Sequence, residues 1–228
     1  MKVSLIMITI NREAMVRETL EKILNNTGHN DWELLVADNG STDGVIEYIK
    51  SLKPAVHLLH GENKGVAYSL NRLIEKASGE LICHIGNDIV MTDGWMGKMV
   101  EYQKAIPETG ICAVHTVEKL HDLKEINGKQ VHLGAKVFGP KMYRKELVKN
   151  LAYKEWSKYG LEDSDLAMRF YYQGLYNYYV PGLKGTHLGH DIEDKGEYRQ
   201  MKWEELKKAD LFYNESIKQY QQNDKSSY

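Results

Sequence analysis

The chain has 228 residues, enough for one large domain with a sizeable core. Hydrophobic residues make up 42% and charged residues 27%, which excludes a disordered or fibrous chain, and the formal net charge of -2 excludes an overall basic field that would recruit nucleic acid or anionic membrane. Two cysteines, Cys83 and Cys112, both inside apolar runs, exclude a disulfide framework or zinc site and read as reduced core residues of a cytoplasmic protein. The apolar start "VSLIMITI" is short, lacks a small-residue cleavage site and leads into a polar helix, so it reads as a strand and not a signal peptide. No run is long enough to span a bilayer.

Strands and helices then alternate. After that first strand, "REAMVRETLEKILNN" carries Met15, Val16, Leu20, Ile23 and Leu24 at helical spacing. "WELLVAD" is a second buried strand, and "STDGVIEYIKSL" opens with an N-cap signal and continues as a short helix. "AVHLLH" is a third strand, "GVAYSLNRLIEKAS" a helix stopped by Gly79, "ELICHI" a fourth strand, "GWMGKMVEYQKAI" a helix closed before Pro107, and "GICAVHTV" a fifth strand. Four βα units in a row predict a mostly parallel sheet flanked by helices.

The pattern changes after residue 114. Residues 115–142 are irregular, with "NGK" at 127–129 suggesting a hairpin turn. "YRKELVKNL" and "EDSDLAMRFYYQGL" read as helices, and "YNYYVP" as a strand with half-buried tyrosines. A helix over 195–219 places Trp203, Leu206, Tyr213, Ile217 and Tyr220 roughly on one face, followed by a polar tail. Without repeats or a linker, the expectation is a single α/β domain over 1–228. Residues 1–114 form a nucleotide-binding-like half, 115–194 a modified half, and 195–228 a C-terminal helix and tail.

Ligands of such folds bind beyond the carboxyl ends of the strands. The first four strands end in Thr9-Ile10-Asn11-Arg12, Asp38-Asn39-Gly40-Ser41-Thr42-Asp43, Glu62-Asn63-Lys64-Gly65 and Gly86-Asn87-Asp88. Each loop alone is ordinary turn or cap chemistry. Four polar loops at one sheet edge instead suit a nucleotide, which needs an acceptor for a base imide, donors for ribose and phosphate, and a carboxylate to carry metal. "GENKGVA" lacks the P-loop spacing, and the first strand lacks the Gly-x-Gly-x-x-Gly fingerprint. Further along, "GLEDSD" crowds Glu162, Asp163 and Asp165 into a helix start; the macrodipole favours acids there, yet crowding raises carboxyl pKa values, which suits a general base.

In order, "SLIMITINRE", "ELLVADNGSTDG", "ENKGVAYSLNRLIEKASGELICHIGNDIVMTDGWM", "GLEDSDLAMRFYYQG" and "YVPGLKGTHLGH" resemble the family 2 glycosyltransferases with the A-type (GT-A) fold, over roughly residues 3–190. The resemblance implies that Asp88 binds a divalent metal, Mn²⁺ or Mg²⁺, on the diphosphate of a sugar nucleotide. The sequence departs from the family pattern at Gly86, where an acid or amide is usual. His187 is the implied second metal ligand, with His190 as the alternative. The remaining histidines read as structural, His84 and His115 standing nearest the site. Thr9, Asn11 and Arg12 are expected at the base and ribose, Asp38 at the base imide, Lys64 at the base or phosphates, and Asn87 beside the sugar nucleotide.

The resemblance further implies that Asp163 deprotonates the acceptor, that Glu162 helps hold it, and that Arg169 pairs with the acidic cluster. The expected reaction is inverting transfer from a nucleotide-sugar donor, a UDP-sugar, to a hydroxyl acceptor: a glycan, a lipid-linked glycan, a protein or a modified base. Nucleic acid is disfavoured by the charge balance, a homo-oligomer is left open, and residues 188–200 are expected to close as a lid. Two rivals stand beside it. A sugar nucleotidyltransferase would need a glycine-rich loop that "TINREAM" lacks, and a non-catalytic sugar-nucleotide or glycan-binding module has Gly86 in its favour.

Overall fold

The computed structural model describes residues 1–116, 120, 122–149, 151–189 and 197–225, without the side chains of 197, 198 and 223–225. Continuous apolar runs make β1 (Val3–Thr9) and β4 (Leu81–Ile85) central strands, buried almost throughout, with β2 (Trp32–Asp38) beside β1 and the half-exposed β3 (Val56–Leu59) at the edge. Helices α1 (Glu13–Leu24), α2 (Val45–Ser51) and α3 (Val66–Lys76) connect these strands in turn. All the pairings within this half are parallel. The register sets Thr9 directly opposite Asp38, so the first two loops leave the sheet side by side.

The rest of the chain completes the sheet through β5 (Ile89–Met91), α4 (Trp95–Ala105), β6 (Thr109–His115), β7 (Leu123–Ile126), β8 (Lys129–Leu133), β9 (Lys141–Arg144), α5 (Lys145–Val148), α6 (Glu162–Tyr172), β10 (Tyr176–His187) and α7 (Glu197–Lys225). The strand order is β3-β2-β1-β4-β9-β6-β10-β8-β7, with β5 paired to β10. This is the central sheet flanked by helices that the alternating pattern predicts, parallel over β1–β4 and mixed beyond, where β5, β8 and β9 run antiparallel to their neighbours. The Asn127-Gly128 turn, both residues at positive φ, closes the β7–β8 hairpin as "NGK" predicts.

Three expectations need correction. "YRKELVKNL" is not one helix: its first two residues end β9, an antiparallel strand wedged between β4 and β6, and only a four-residue helix follows. Pairing on both sides overrides the helical propensity of that segment. The "YNYYVP" strand runs on to His187, and Tyr178 and Tyr179 are fully buried because the strand is sandwiched between β6 and β8. On α7 the inward face runs through Glu205, Ala209 and Tyr213, while Trp203 is 56% exposed.

Side-chain alternation sorts the core into two layers. Leu81, Cys83, Ile85, Met142, Cys112 and Val114 pack with α1 and α4 on one face. Ile82, Tyr143, Ile111 and Ala113 pack with α3 and α6 on the other. His84 and Lys141 share the parity of this second set and lie at its end, beneath the start of α6.

Candidate functional site

A cleft of about 290 Å³ opens at the carboxyl ends of β1 and β4. Of the residues expected from sequence, Thr9, Arg12, Asn87, Asp88, Glu162 and Asp163 line it together. Asn11, Asp38, Lys64 and His187 lie outside its lining, and His190 lies outside the described residues, as does most of the expected lid. Residues that sequence reasoning did not single out also line it: Asn63, Lys158, Tyr159 and, from α7, Met201 and Lys202.

The first two loops are welded to each other. Asp38 is 1% exposed, and both its oxygens are occupied: Oδ1 accepts the N–H groups of Gly40 (3.0 Å) and Ser41 (2.8 Å), and Oδ2 accepts the hydroxyls of Thr9 (3.0 Å) and Ser41. A carboxylate has about four acceptor positions, and all four are used here. A base imide reaches Oδ2 only when one of the two hydroxyls rotates away. Asn11 donates its N–H to Ser41 Oγ (2.7 Å) and accepts the Thr42 N–H on Oδ1 (2.8 Å), which makes it a cross-loop clasp. The Ser41-Thr42-Asp43 run, predicted to cap the helix after it, serves both helices: Asp43 Oδ1 accepts the N–H of Val45 (3.1 Å) at the start of α2, and Oδ2 accepts the N–H of Glu13 (2.9 Å) at the start of α1. That leaves Arg12, the left-handed residue before α1 (φ 68), presented to the cleft. Lys64 is exposed and ion-paired with Glu62. In the same loop Gly65 has φ 102, and a Cβ there would lie 2.8 Å from Lys158 Cα; this close approach lets Val66 N–H bond the Lys158 carbonyl (3.1 Å) and brings Lys158 to the rim.

The strand-four tip delivers Asp88. The antiparallel β5–β10 ladder puts His187 opposite Ile89, so that His187 Nδ1 stands 3.8 Å from Asp88 Oδ2. Two ligand atoms about 2.1 Å from an octahedral cation are about 3.0 Å apart when adjacent and about 4.2 Å apart when opposed. The observed 3.8 Å matches neither, and a side-chain adjustment of roughly 0.8 Å would bring the pair to adjacent positions on a divalent ion. Among the described residues no third His, Cys, Asp or Glu joins them, which leaves the remaining positions to phosphate and water. Gly86 has a local reason: a Cβ there would lie 3.0 Å from both Asp88 Oδ1 and Ile89 Cδ1.

The three acids at the start of α6 diverge. Leu161 (φ 64), a non-glycine in the left-handed region at a cost of about 1–2 kcal/mol, turns the chain into the helix. Asp165 is fully buried, paired with Arg169 (2.8 Å) and bonded by the Tyr220 hydroxyl (2.8 Å), so it ties α6 to α7. Arg169 therefore pairs with Asp165 in the core, at a distance from the cleft acids' own partners. Asp163 is ion-paired with the buried ammonium of Lys141, and its Oδ1 faces His84 Nδ1 at 4.0 Å. Burial pushes the Asp163 carboxyl up, but Lys141 and His84 outweigh it and hold it below the ordinary aspartate range. Glu162 is the group that crowding lifts: burial first, then the Asp163 charge, raise it. Burial also holds His84 neutral, its pKa lowered to about 4. Crowding thus acts on Glu162 rather than on Asp163, because a lysine from β9 neutralises the latter. A lysine at the head of a short apolar strand gave no sequence signal of that role.

The family model for glycosyl transferase family 2 matches residues 4–162. An uncharacterized glycosyltransferase of Rickettsia bellii is 35% identical over 89 residues, covering 38% of this chain and 13% of that protein. The uncharacterized glycosyltransferase YfnE of Bacillus subtilis is 24% identical over 117 residues, covering 50% and 30%. The chain thus spans less than half the length of these curated relatives. Among solved structures, S. aureus TarS 1-349 in complex with UDP-GlcNAc has a TM-score of 0.67 at 17% identity, covering 85% of this chain and 60% of that one. The mannosyltransferase PcManGT of Pyrobaculum calidifontis, in complex with GDP-Man and Mn²⁺, has a TM-score of 0.65 at 18% identity, covering 82% and 56%. With the family model matched over more than half its length and the same fold in these structures, the chain belongs to glycosyl transferase family 2.

Proposed function

We propose that this chain catalyses inverting transfer of a sugar from a nucleoside-diphosphate donor, a UDP-sugar in the first instance, to a hydroxyl acceptor, with Asp163 as general base. The observation that carries the reading is that one cleft is lined by Asp88, with His187 3.8 Å behind it as a candidate second metal ligand, and by a separate ionised carboxylate, Asp163. Arg12, Lys158 and Lys202 line the same cleft and suit a diphosphate. The solved relatives carry UDP-GlcNAc in one case and GDP-Man with Mn²⁺ in the other.

In the proposed step the acceptor O–H bond breaks and its proton passes to the Asp163 carboxylate. The acceptor oxygen bonds the anomeric carbon from the face opposite the diphosphate. The bond from that carbon to the phosphate oxygen breaks, and its electron pair leaves with the nucleoside diphosphate. A divalent ion held by Asp88 and His187 would offset the charge on that leaving group. Lys141 keeps Asp163 in its proton-accepting form across the neutral pH range while lowering its basicity. Glu162, lifted in pKa at the cleft wall, is placed to hydrogen-bond the acceptor. One displacement with one base inverts the anomeric centre.

The test is release of UDP from UDP-sugars in the presence of Mn²⁺, with the freshly freed sugar read by NMR before it mutarotates. An inverted sugar is expected. A retained configuration overturns the single-displacement scheme, and absence of both UDP binding and UDP release across the UDP-sugars overturns the donor assignment.

A further inference from the structure

The Asp163 carboxylate stands over a single cross-strand pair. In the β4–β9 ladder His84 lies directly opposite Lys141, on the sheet face that α6 covers. The two side chains meet the two carboxylate oxygens separately: Lys141 Nζ contacts Oδ2, and His84 Nδ1 faces Oδ1 across 4.0 Å. Lys141 is 2% exposed, and among the described residues Asp163 is the one carboxylate within ion-pair distance of it. Oδ1 and Nδ1 are both closed to solvent, and among the described residues neither has a hydrogen-bond partner. Two buried polar atoms left facing each other are costly unless they pair. An approach of about 1 Å brings them to hydrogen-bond distance.

We propose that His84 and Lys141 are a positioning pair for the base of glycosyl transfer, one strand register holding the Asp163 carboxylate at both oxygens, Lys141 by charge and His84 through Nδ1–H. The proposal rests on the assignment of Asp163 as that base. Neither residue changes covalently in the reaction. The other titratable groups facing Asp163 are Glu162 on its own helix, Tyr143 on β9 and Tyr153; burial pushes both phenols up, so they stay neutral, Asp163 raises Glu162, and Lys141 ahead of His84 lowers Asp163. Lys141 thereby fixes the acid limit of the pH range in which the base works, and His84 fixes its rotation.

The experiment is NMR on the whole chain. The protein is labelled with ¹³C at aspartate carboxyls, and the Asp163 signal is assigned by its loss in Asp163→Asn. In the wild type Asp163 is expected to titrate below ordinary aspartate. In Lys141→Met the midpoint rises by about one pH unit or more, and Lys141→Arg keeps it near wild type. A midpoint unmoved in Lys141→Met, or a wild-type midpoint at or above that of ordinary aspartate, overturns the Lys141 half; the wild-type reading holds even where the methionine variant does not fold. For His84, ¹⁵N spectra of the wild type are expected to show the proton on Nδ1, with a shift that changes in Asp163→Asn. A proton on Nε2 with bare Nδ1 overturns the His84 half. The base assignment itself is read separately: normal turnover in Asp163→Asn removes it while leaving these titrations as they are.

Discussion

Replacing Asp163 by asparagine removes a base and a counter-charge in one change, and the two losses have different magnitudes and different readouts. The lost base should lower transfer by about 10²–10⁴ at saturating donor. The lost charge leaves the Lys141 ammonium, 2% exposed, facing a neutral amide. Breaking a fully buried pair by removing one partner costs about 3–5 kcal/mol, and since the Asp163 side chain is 26% exposed, solvent already shares part of that field; about 2–3 kcal/mol is expected here. For a chain of this size that corresponds to a melting point lower by roughly 4–12 °C. The double variant Asp163→Asn/Lys141→Met removes the orphaned charge as well. It should regain most of the stability and none of the transfer. Thermal melts and UDP release from a UDP-sugar, run on all three proteins, decide the matter. Near-normal turnover in Asp163→Asn takes it out of the mechanism. A melting point equal to wild type would refute the electrostatic reasoning, because it would mean that the buried lysine does not depend on this carboxylate.

Asp88→Ala should abolish Mn²⁺-dependent UDP binding in calorimetry with the fold intact, whereas His187→Ala should weaken it by about tenfold; equal affinity in the Asp88 variant sinks the metal site. Asp38→Ala strips four hydrogen bonds from two loops and should lower stability in urea unfolding by about 3–5 kcal/mol, more than any effect on turnover at saturating donor. Neutral burial of His84 carries a pH signature. Its folded pKa of about 4 lies below the unfolded 6.5, so between those values the unfolded chain binds the proton and the folded one does not. Stability from this source is whole above pH 6.5 and is lost as pH falls towards 4, and His84→Phe should flatten the wild-type slope across that window.

Periodicity made the parallel half legible, because β1 and β4 are buried on both faces and can only read as continuous apolar runs. It failed at β9, where "KMYR" is four residues long and its strand state comes from partners distant in sequence on either side. The candidate site divides in the same way. Asp88, His187 and Asp163 were read from family order. Lys141 and the role of His84 depend on a strand register that no local pattern encodes. Asp38 shows the opposite case: the turn that makes its segment recognisable, Asp-Asn-Gly-Ser, is the one that occupies its oxygens.

The β4–β9 seam joins the two halves of the chain through four residue pairs, Leu81 to His84 against Arg144 to Lys141. Thr9, Arg12, Asn87 and Asp88 precede β9 in the chain, Lys141 opens it, and Asp163 and His187 follow it. Recombining this chain with another family member at a point between β5 and β9 would therefore exchange Lys141, the proposed base Asp163 and His187 while keeping His84 and Asp88. The graft would have to respect one compatibility rule above others: whatever residue replaces His84 or Lys141 must still suit its opposite number. A crossover ahead of β4 keeps that pair from one parent and should preserve turnover, whereas one between β5 and β9 splits it and should lower turnover unless the second parent's residue suits His84.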